Sequence, residues 1–338
     1  MKALIVLAMI WLTAPFAGAH TGELGPRELA AIDAHALAAP ADAEKSLEAL
    51  ALYLTGNLPS DKEKVRAIYR WVADRIEYDV ESYLTGKFSK MDASQVLEKR
   101  QSVCDGFATL FAELARKAGL DVKTIVGFAR GYVSQGKQRF DHPNHAWNAM
   151  KLNGEWRMID VTWGAGYVQE GKYKKALSEA FFLAPPEQFV FSHLPQEDDW
   201  QLQRTPRLSQ KDFEALPDVR TTFFNNGISA LAAWETLSNP DFAGHFVQTY
   251  DLPYRLAMVH KAPLEFNLKQ ERSYQFHIQS ATFEKMAVVQ TGTWMEMPRQ
   301  DNSFSLNLTR PVTGQLLVLG KLPGEENYTA ILGYEVKP

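Results

Sequence analysis

The sequence predicts an α+β domain followed by an all-β, sandwich-like domain, and three observations carry that expectation. Apolar residues fall at helical spacing from Leu47 to about Gly119. β-Branched and aromatic runs then flank Asn153-Gly154, and beyond Asp218 the chain turns to short alternating runs separated by Gly, Pro, Asn and Asp.

Taken in order, residues 1–19 read as a secretory signal peptide. Lys2 supplies the positive start, Ala3 to Leu12 an apolar run, and Ala17-Gly18-Ala19 a small-residue cleavage signal. That run is shorter than the roughly 20 residues that span a bilayer, so no stable membrane insertion is expected after cleavage. No Cys follows it to carry a lipid, and the mature protein is expected to be soluble and periplasmic or extracellular. Residues 20–43, rich in Ala, Asp, Pro and Gly, read as a flexible lead-in. Leu47, Leu50, Ala51 and Leu54 then mark a helix ending at Gly56-Asn57, with Pro59 just beyond. Ser60 and Glu63 form a capping box for a second helix, whose stripe of Val65, Ile68, Tyr69, Val72 and Ile76 runs to about Tyr78.

A third helix starts at Cys104: Phe107, Leu110, Phe111 and Leu114 make its buried face, Lys117 sits in the last turn and Gly119 caps it. After Leu120 the period changes. Val122 to Val133, Ala146 to Leu152 and Glu155 to Trp163 read as strands, the last two joined at Asn153-Gly154, because a type I′ turn needs positive φ at both central positions. The α+β core is thus placed at 44–165, a looped extension and linker at 166–217, and the β-rich domain at 218–338, with Leu264 to Leu268, Tyr274 to Ile278, Phe304 to Leu308 and Leu316 to Leu319 among its strands.

Composition excludes some function classes. Forty acidic against thirty-six basic side chains give a net charge of −4, and the basic residues are scattered, so no nucleic acid is held by bulk charge. The chain has one cysteine and cannot form an internal disulfide, so Cys104 is inert filling, an intermolecular bridge or a reagent.

Its neighbours favour the reagent. A thiol at a helix N-terminus meets unpaired backbone N–H groups and the positive end of the helix dipole, which favour thiolate over thiol. The same N–H groups could hold the oxyanion of a tetrahedral intermediate. Strands paired symmetrically about Asn153-Gly154 put His145 opposite Thr162 and Trp147 opposite Asp160, so His145 and Asp160 become same-face diagonal neighbours, roughly 7 Å apart along the backbone and within side-chain reach. A one-residue bulge would separate them. A carboxylate on one ring nitrogen fixes the tautomer and steadies the imidazolium, leaving the other nitrogen for the thiol proton. Cys104 as nucleophile, His145 as base and Asp160 as orienter form the candidate catalytic set.

Cys104-Asp105-Gly106-Phe107, His145-Ala146-Trp147-Asn148 and Asp160-Val161-Thr162-Trp163, with Arg70-Trp71-Val72 and Ile76-Glu77-Tyr78-Asp79 upstream, resemble the transglutaminase-like superfamily over about residues 60–165. Beyond them, Phe182-Leu183, Pro186-Glu187-Gln188-Phe189, His193-Leu194-Pro195 and Trp200-Gln201-Leu202 resemble its kyphoscoliosis-peptidase branch. The resemblance implies a papain-like α+β core, with the cysteine helix packed on an antiparallel sheet, and a Cys-His-Asp triad that hydrolyses peptide or amide bonds or transfers the acyl group to an amine. It also makes Gln101, three residues before the thiol, a candidate oxyanion donor, with Tyr78 as rival.

Trp147 and Trp163 are expected to wall the site or fill the core. His142 and His145 are too few for zinc without a third ligand, so neither metal nor cofactor is expected, and His193, His260 and His277 read as structural. The favoured function is an exported peptidase or amidase working through a thioester acyl-enzyme on protein or peptide substrates, cell-wall peptides included. Crosslinking acyl transfer is the alternative within that chemistry, and a non-catalytic binding or scaffold protein is the alternative outside it.

Overall fold

The computed structural model describes residues 24–131, 139–202, 207–219, 221–250, 252 and 256–338. The expected signal peptide lies outside these residues. Among them, no helix is long and apolar enough to cross a membrane.

The first layer is helical. Helix α1 (Pro26–Leu37) is followed by α2 (Leu47–Thr55) and α3 (Asp61–Arg75). The expected flexible lead-in is therefore corrected: Pro26 sits at the helix start, the Glu28 carboxylate accepts from the Gly25 amide at 2.7 Å, and the Ala-rich run that looked loose is a strong helix former. Asp33 of α1 then takes a bidentate bond from Arg66 of α3 at 2.6 and 2.7 Å, and Glu179 takes a second from the same guanidinium. Ser60 and Glu63 form the expected capping box. Helix α3 ends at Arg75, short of Tyr78, which lies in β1 (Glu77–Tyr78).

Two short helices, α4 (Val80–Thr85) and α5 (Ala93–Lys99), lead to β2 (Gln101–Ser102), which pairs in parallel with β1. Helix α6 (Cys104–Lys117) follows at once, and its apolar face joins Val65, Ile68, Val72, Val96 and Met150 in one core. A Cβ on Gly106 would lie 2.0 Å from Ser102 Oγ. Only glycine lets β2 press against the first turn of α6, which fixes where Cys104 starts.

Next come β3 (Val122–Ala129), β4 (His145–Leu152) and β5 (Glu155–Ile159). The hairpin register is the expected one, with Asn148 opposite Ile159 and Leu152 opposite Glu155, and Asn153 and Gly154 both have positive φ. The last strand stops four residues early. The Asp160 carboxylate accepts from the Thr162 and Trp163 amides at 2.9 and 3.1 Å and caps α7 (Val161–Ala165), overriding the β preference of Val-Thr-Trp.

The expected linker is also corrected. Residues 166–217 hold a hairpin, β6 (Gly166–Gln169) with β7 (Lys172–Lys175), then α8 (Pro186–Phe189), β8 (His193–Pro195) and α9 (Gln210–Ala215). Strand β8 pairs antiparallel with β3, so the core sheet runs β5-β4-β3-β8. A three-residue strand has too short a period to announce itself, and β3 supplies what it lacks. One face of the sheet meets α6, where Asn148 Nδ2 donates to the Ala108 carbonyl. The other gathers Ile125, Trp147, Met158, Phe181 and Phe189.

The C-terminal region opens with α10 (Thr221–Asn225) and α11 (Ala230–Leu237), so it is not wholly β. Among the described residues, ten strands follow: β9 (Gln248–Thr249), β10 (Met258–Lys261), β11 (Asn267–Lys269), β12 (Ser273–Gln279), β13 (Lys285–Gln290), β14 (Thr293–Glu296), β15 (Arg299–Gln300), β16 (Ser303–Thr309), β17 (Gly314–Lys321) and β18 (Tyr328–Lys337). They form two sheets, β10-β12-β16-β15 and β11-β18-β17-β13-β14, with β9 on β18. Phe276, Ile278 and Phe304 of the first share one core with Val288, Val318 and Leu332 of the second, which makes a sandwich. Phe128 of β3, Val190 after α8 and Leu194 of β8 belong to that same cluster.

Candidate active site

The site is assembled where α6 begins and β4, β5 and β8 end or begin. Cys104 is the first residue of α6, and no side chain caps that end. The first amides of a helix have no acceptor within it, so those of Cys104 and Asp105 remain available there. Cys104 is half-buried, open enough to meet a substrate.

His145 opens β4 and is almost wholly buried. Its Nε2 lies 2.7 Å from Asp160 Oδ2, and Cys104 is near enough to help raise its pKa. With Nε2 committed to the carboxylate, Nδ1 is the ring nitrogen left for the thiol. The sequence nominated Cys104, His145 and Asp160; the structure joins His145 to Asp160 by a hydrogen bond and sets Cys104 near the same imidazole.

Asp160 has no exposed surface. Burial raises its pKa, but the charge and hydrogen bond of His145, then the bond from His193, outweigh that and hold it well below the usual carboxylate range. Oδ1 takes two backbone amides and Oδ2 two imidazoles, so its four acceptor positions are filled. Burial also disfavours a charged His145. The charge and hydrogen bond of Asp160, then the neighbouring Cys104, overcome it and raise the imidazole to about 10.

The sequence missed His193. The first residue of β8, it is 1% exposed, and its Nε2 lies 3.1 Å from the same Asp160 oxygen. It was expected to stand alone as a structural histidine. Instead burial first, then the charge of His145, push it down to about 4 against the pull of Asp160. It is neutral near pH 7, so Nε2–H donates to Asp160 and Nδ1 accepts from Ser192 Oγ at 2.7 Å. No local pattern could have found this, because His193 lies 33 residues from its partner.

Aromatic rings close the site off. Phe189 stacks on His193 at 3.9 Å between centroids, Trp163 lies 4.6 Å from His193 and 5.2 Å from His145, and Trp147 lies 5.1 Å from His193. Trp147 is core, at 1% exposed, while half-buried Trp163 walls the imidazole. Such a dry surround strengthens each charge interaction inside it.

Among the described residues, His145, Asp160 and His193 are the group whose ligand atoms lie close enough to hold a metal, within 4.8 Å of one another. Both Nε2 atoms sit on one carboxylate oxygen at 2.7 and 3.1 Å, however, which is the arrangement of two hydrogen bonds rather than of ligands spread around a cation. Tyr78 is near enough to Cys104 to feel its charge; burial first, then that charge, keep its phenol neutral and able to donate. Gln101 lies opposite Glu77 in the β1–β2 pair, on the segment leading into α6.

A family model described as the transglutaminase-like superfamily matches residues 48–161. Kyphoscoliosis peptidase of Mus musculus is 36% identical over 172 residues, which is 50% of this chain and 26% of that protein. The Homo sapiens protein of the same name is 33% identical over 189 residues, 55% of this chain and 28% of that one. Hillarin of Drosophila melanogaster is 27% identical over 221 residues, covering 60% and 26% respectively. The match thus spans about a quarter of the length of these relatives.

Proposed function

Starting from a chain that carries a transglutaminase-like core, we propose that it is an exported cysteine hydrolase acting on peptide or carboxamide bonds. The observation that carries this reading is the hydrogen bond between His145 and Asp160, with Cys104 at a helix start near enough to the same imidazole to raise its pKa. In the first half-reaction the Cys104 sulfur bonds to the carbonyl carbon, and the carbonyl electron pair moves to oxygen, where the α6 amides receive the oxyanion. The carbon–nitrogen bond then breaks, the His145 imidazolium gives its proton to the departing amine, and a thioester remains. Water attacks that thioester with His145 taking its proton, the carbon–sulfur bond breaks, and the acid leaves. Asp160 holds the imidazole ring and its charge throughout.

We favour water as the acceptor because it needs no binding site of its own; an amine in its place would give crosslinking. Peptide substrates, cell-wall peptides among them, are the proposed class. The name of the Mus musculus and Homo sapiens relatives, a peptidase, agrees with it. Export rests on the charge and apolar pattern of residues 1–19, and a mature chain beginning at His20, recovered outside the cytoplasm, is the expected product.

Alkylation by iodoacetamide tests the site without knowledge of the substrate. Cys104 is expected to label rapidly near neutral pH, and His145→Ala to slow it. Equal, slow labelling in both proteins would favour the scaffold reading. Peptide and carboxamide substrates, screened with Cys104→Ala as control, then test the reaction.

A further inference from the structure

Asp160 Oδ2 serves two imidazoles, and the scheme above uses one. We infer that His193 is a positioning residue of this site: a neutral imidazole whose Nε2–H holds the Asp160 oxygen that in turn orients His145. The inference rests on the proposed chemistry and deepens it.

Three observations converge. The chain of contacts is continuous, from Ser192 Oγ to His193 Nδ1 at 2.7 Å, from His193 Nε2 to Asp160 Oδ2 at 3.1 Å, and from that oxygen to His145 Nε2 at 2.7 Å. Each ring is fixed: His193 stacks on Phe189 with a 20° tilt and has no exposed side-chain surface. Asp160 is fully buried, so a carboxylate there needs every acceptor position filled, and His193 fills the last.

The consequence has a sign. Other titratable groups facing Asp160 are His145 on β4, Tyr69 on α3 and Tyr78 on β1, with Cys104 beyond His145; both phenols are held above their ordinary range, chiefly by burial, and stay neutral. Removing the His193 donor leaves one Oδ2 position empty, which favours protonation of the carboxylate as pH falls. It also returns undivided oxygen charge to His145, which holds the imidazolium to higher pH. The alkaline limb of the site's pH profile should therefore move up, whereas loss of packing alone would lower the amplitude and leave that limb in place.

The experiment is the pH profile of Cys104 alkylation by iodoacetamide in the full chain, for wild type, His145→Ala, His193→Phe, His193→Gln and His193→Met. Phe keeps a ring against Phe189 and removes the donor; Gln restores a donor near the Nε2 position without the ring. His193→Phe is expected to raise the alkaline limb by about one pH unit, and His193→Gln to restore it. If the Phe variant does not fold, His193→Met against His193→Gln makes the same comparison at similar side-chain length. An unmoved alkaline limb in the Phe and Met variants, or a Phe variant that outperforms Gln, would overturn the role of His193 while leaving the triad in place. Wild-type labelling that ignores His145→Ala would overturn the triad and the His193 role together.

Discussion

Replacing Asp160 by Asn isolates what the buried charge does. The amide oxygen can still accept from the Thr162 and Trp163 amides, so the cap of α7 survives. The amide nitrogen then stands where Oδ2 stood, facing two imidazole N–H groups that need an acceptor. Each unsatisfied buried donor costs about 1–3 kcal/mol, so a loss of about 2–6 kcal/mol is expected against a typical total of about 5–15 kcal/mol. The protein should fold, weakened. His145 is raised from 6.5 to about 10, a preference for imidazolium of about 5 kcal/mol on the usual conversion. Without Asp160, burial acts with little opposition and His145 is neutral near pH 7. Iodoacetamide labelling of Cys104 at pH 6.5 should then fall by about tenfold or more, because the imidazolium no longer supports the thiolate.

The stability effect carries its own pH signature. A histidine raised in the folded state contributes fully below its unfolded value of 6.5 and loses that contribution as pH rises through about 10. Urea midpoints for wild type and Asp160→Asn should therefore differ most near pH 6 and converge toward pH 10. A gap that stays constant with pH, or labelling at pH 6.5 equal to wild type, would refute the claim that Asp160 charges His145.

His193 gives the opposite slope in a separate window. Lowered to about 4 from 6.5, it makes the folded state resist a proton that the unfolded chain accepts, so wild type should lose about 3 kcal/mol between pH 6.5 and 4 from this group. The urea midpoint of His193→Gln should fall less over that interval, and parallel curves would contradict the shift. Arg66→Ala leaves Asp33 and Glu179 facing each other without the cation that joins α1 to the segment after β7, and a loss of about 3–5 kcal/mol is expected in urea titration. A variant within 1 kcal/mol of wild type, on the order of an exposed pair's worth, would show that the triad contributes no more than a surface bridge.

Much of the site was legible because its parts are set by local rules. Ser60 and Glu63 cap α3 through atoms three residues apart, and Asn153-Gly154 fixes the hairpin register through the φ angles of two residues. That register alone predicted that His145 and Asp160 would meet. The prediction survived even though β5 ends at Ile159, because Asp160 keeps the strand's side-chain alternation in its last step before turning to cap α7. Where the local reading differs from the structure, a local cap or a distant charge decides: Glu28 caps α1 and Arg66, from α3, holds it, while the Asp160 carboxylate ends the strand that Val-Thr-Trp would have continued.

The sequence by itself therefore determined the helix that begins at Cys104, the hairpin that presents His145, and the carboxylate placed to receive it. Tertiary structure alone decided that α6 brings its first residue to that hairpin, and that β8, pairing with β3, delivers His193 to the far side of Asp160. The physical reason is range. Capping and turn preferences act over three or four residues, while a buried carboxylate collects its last hydrogen bond from whichever element the sheet lays beside it.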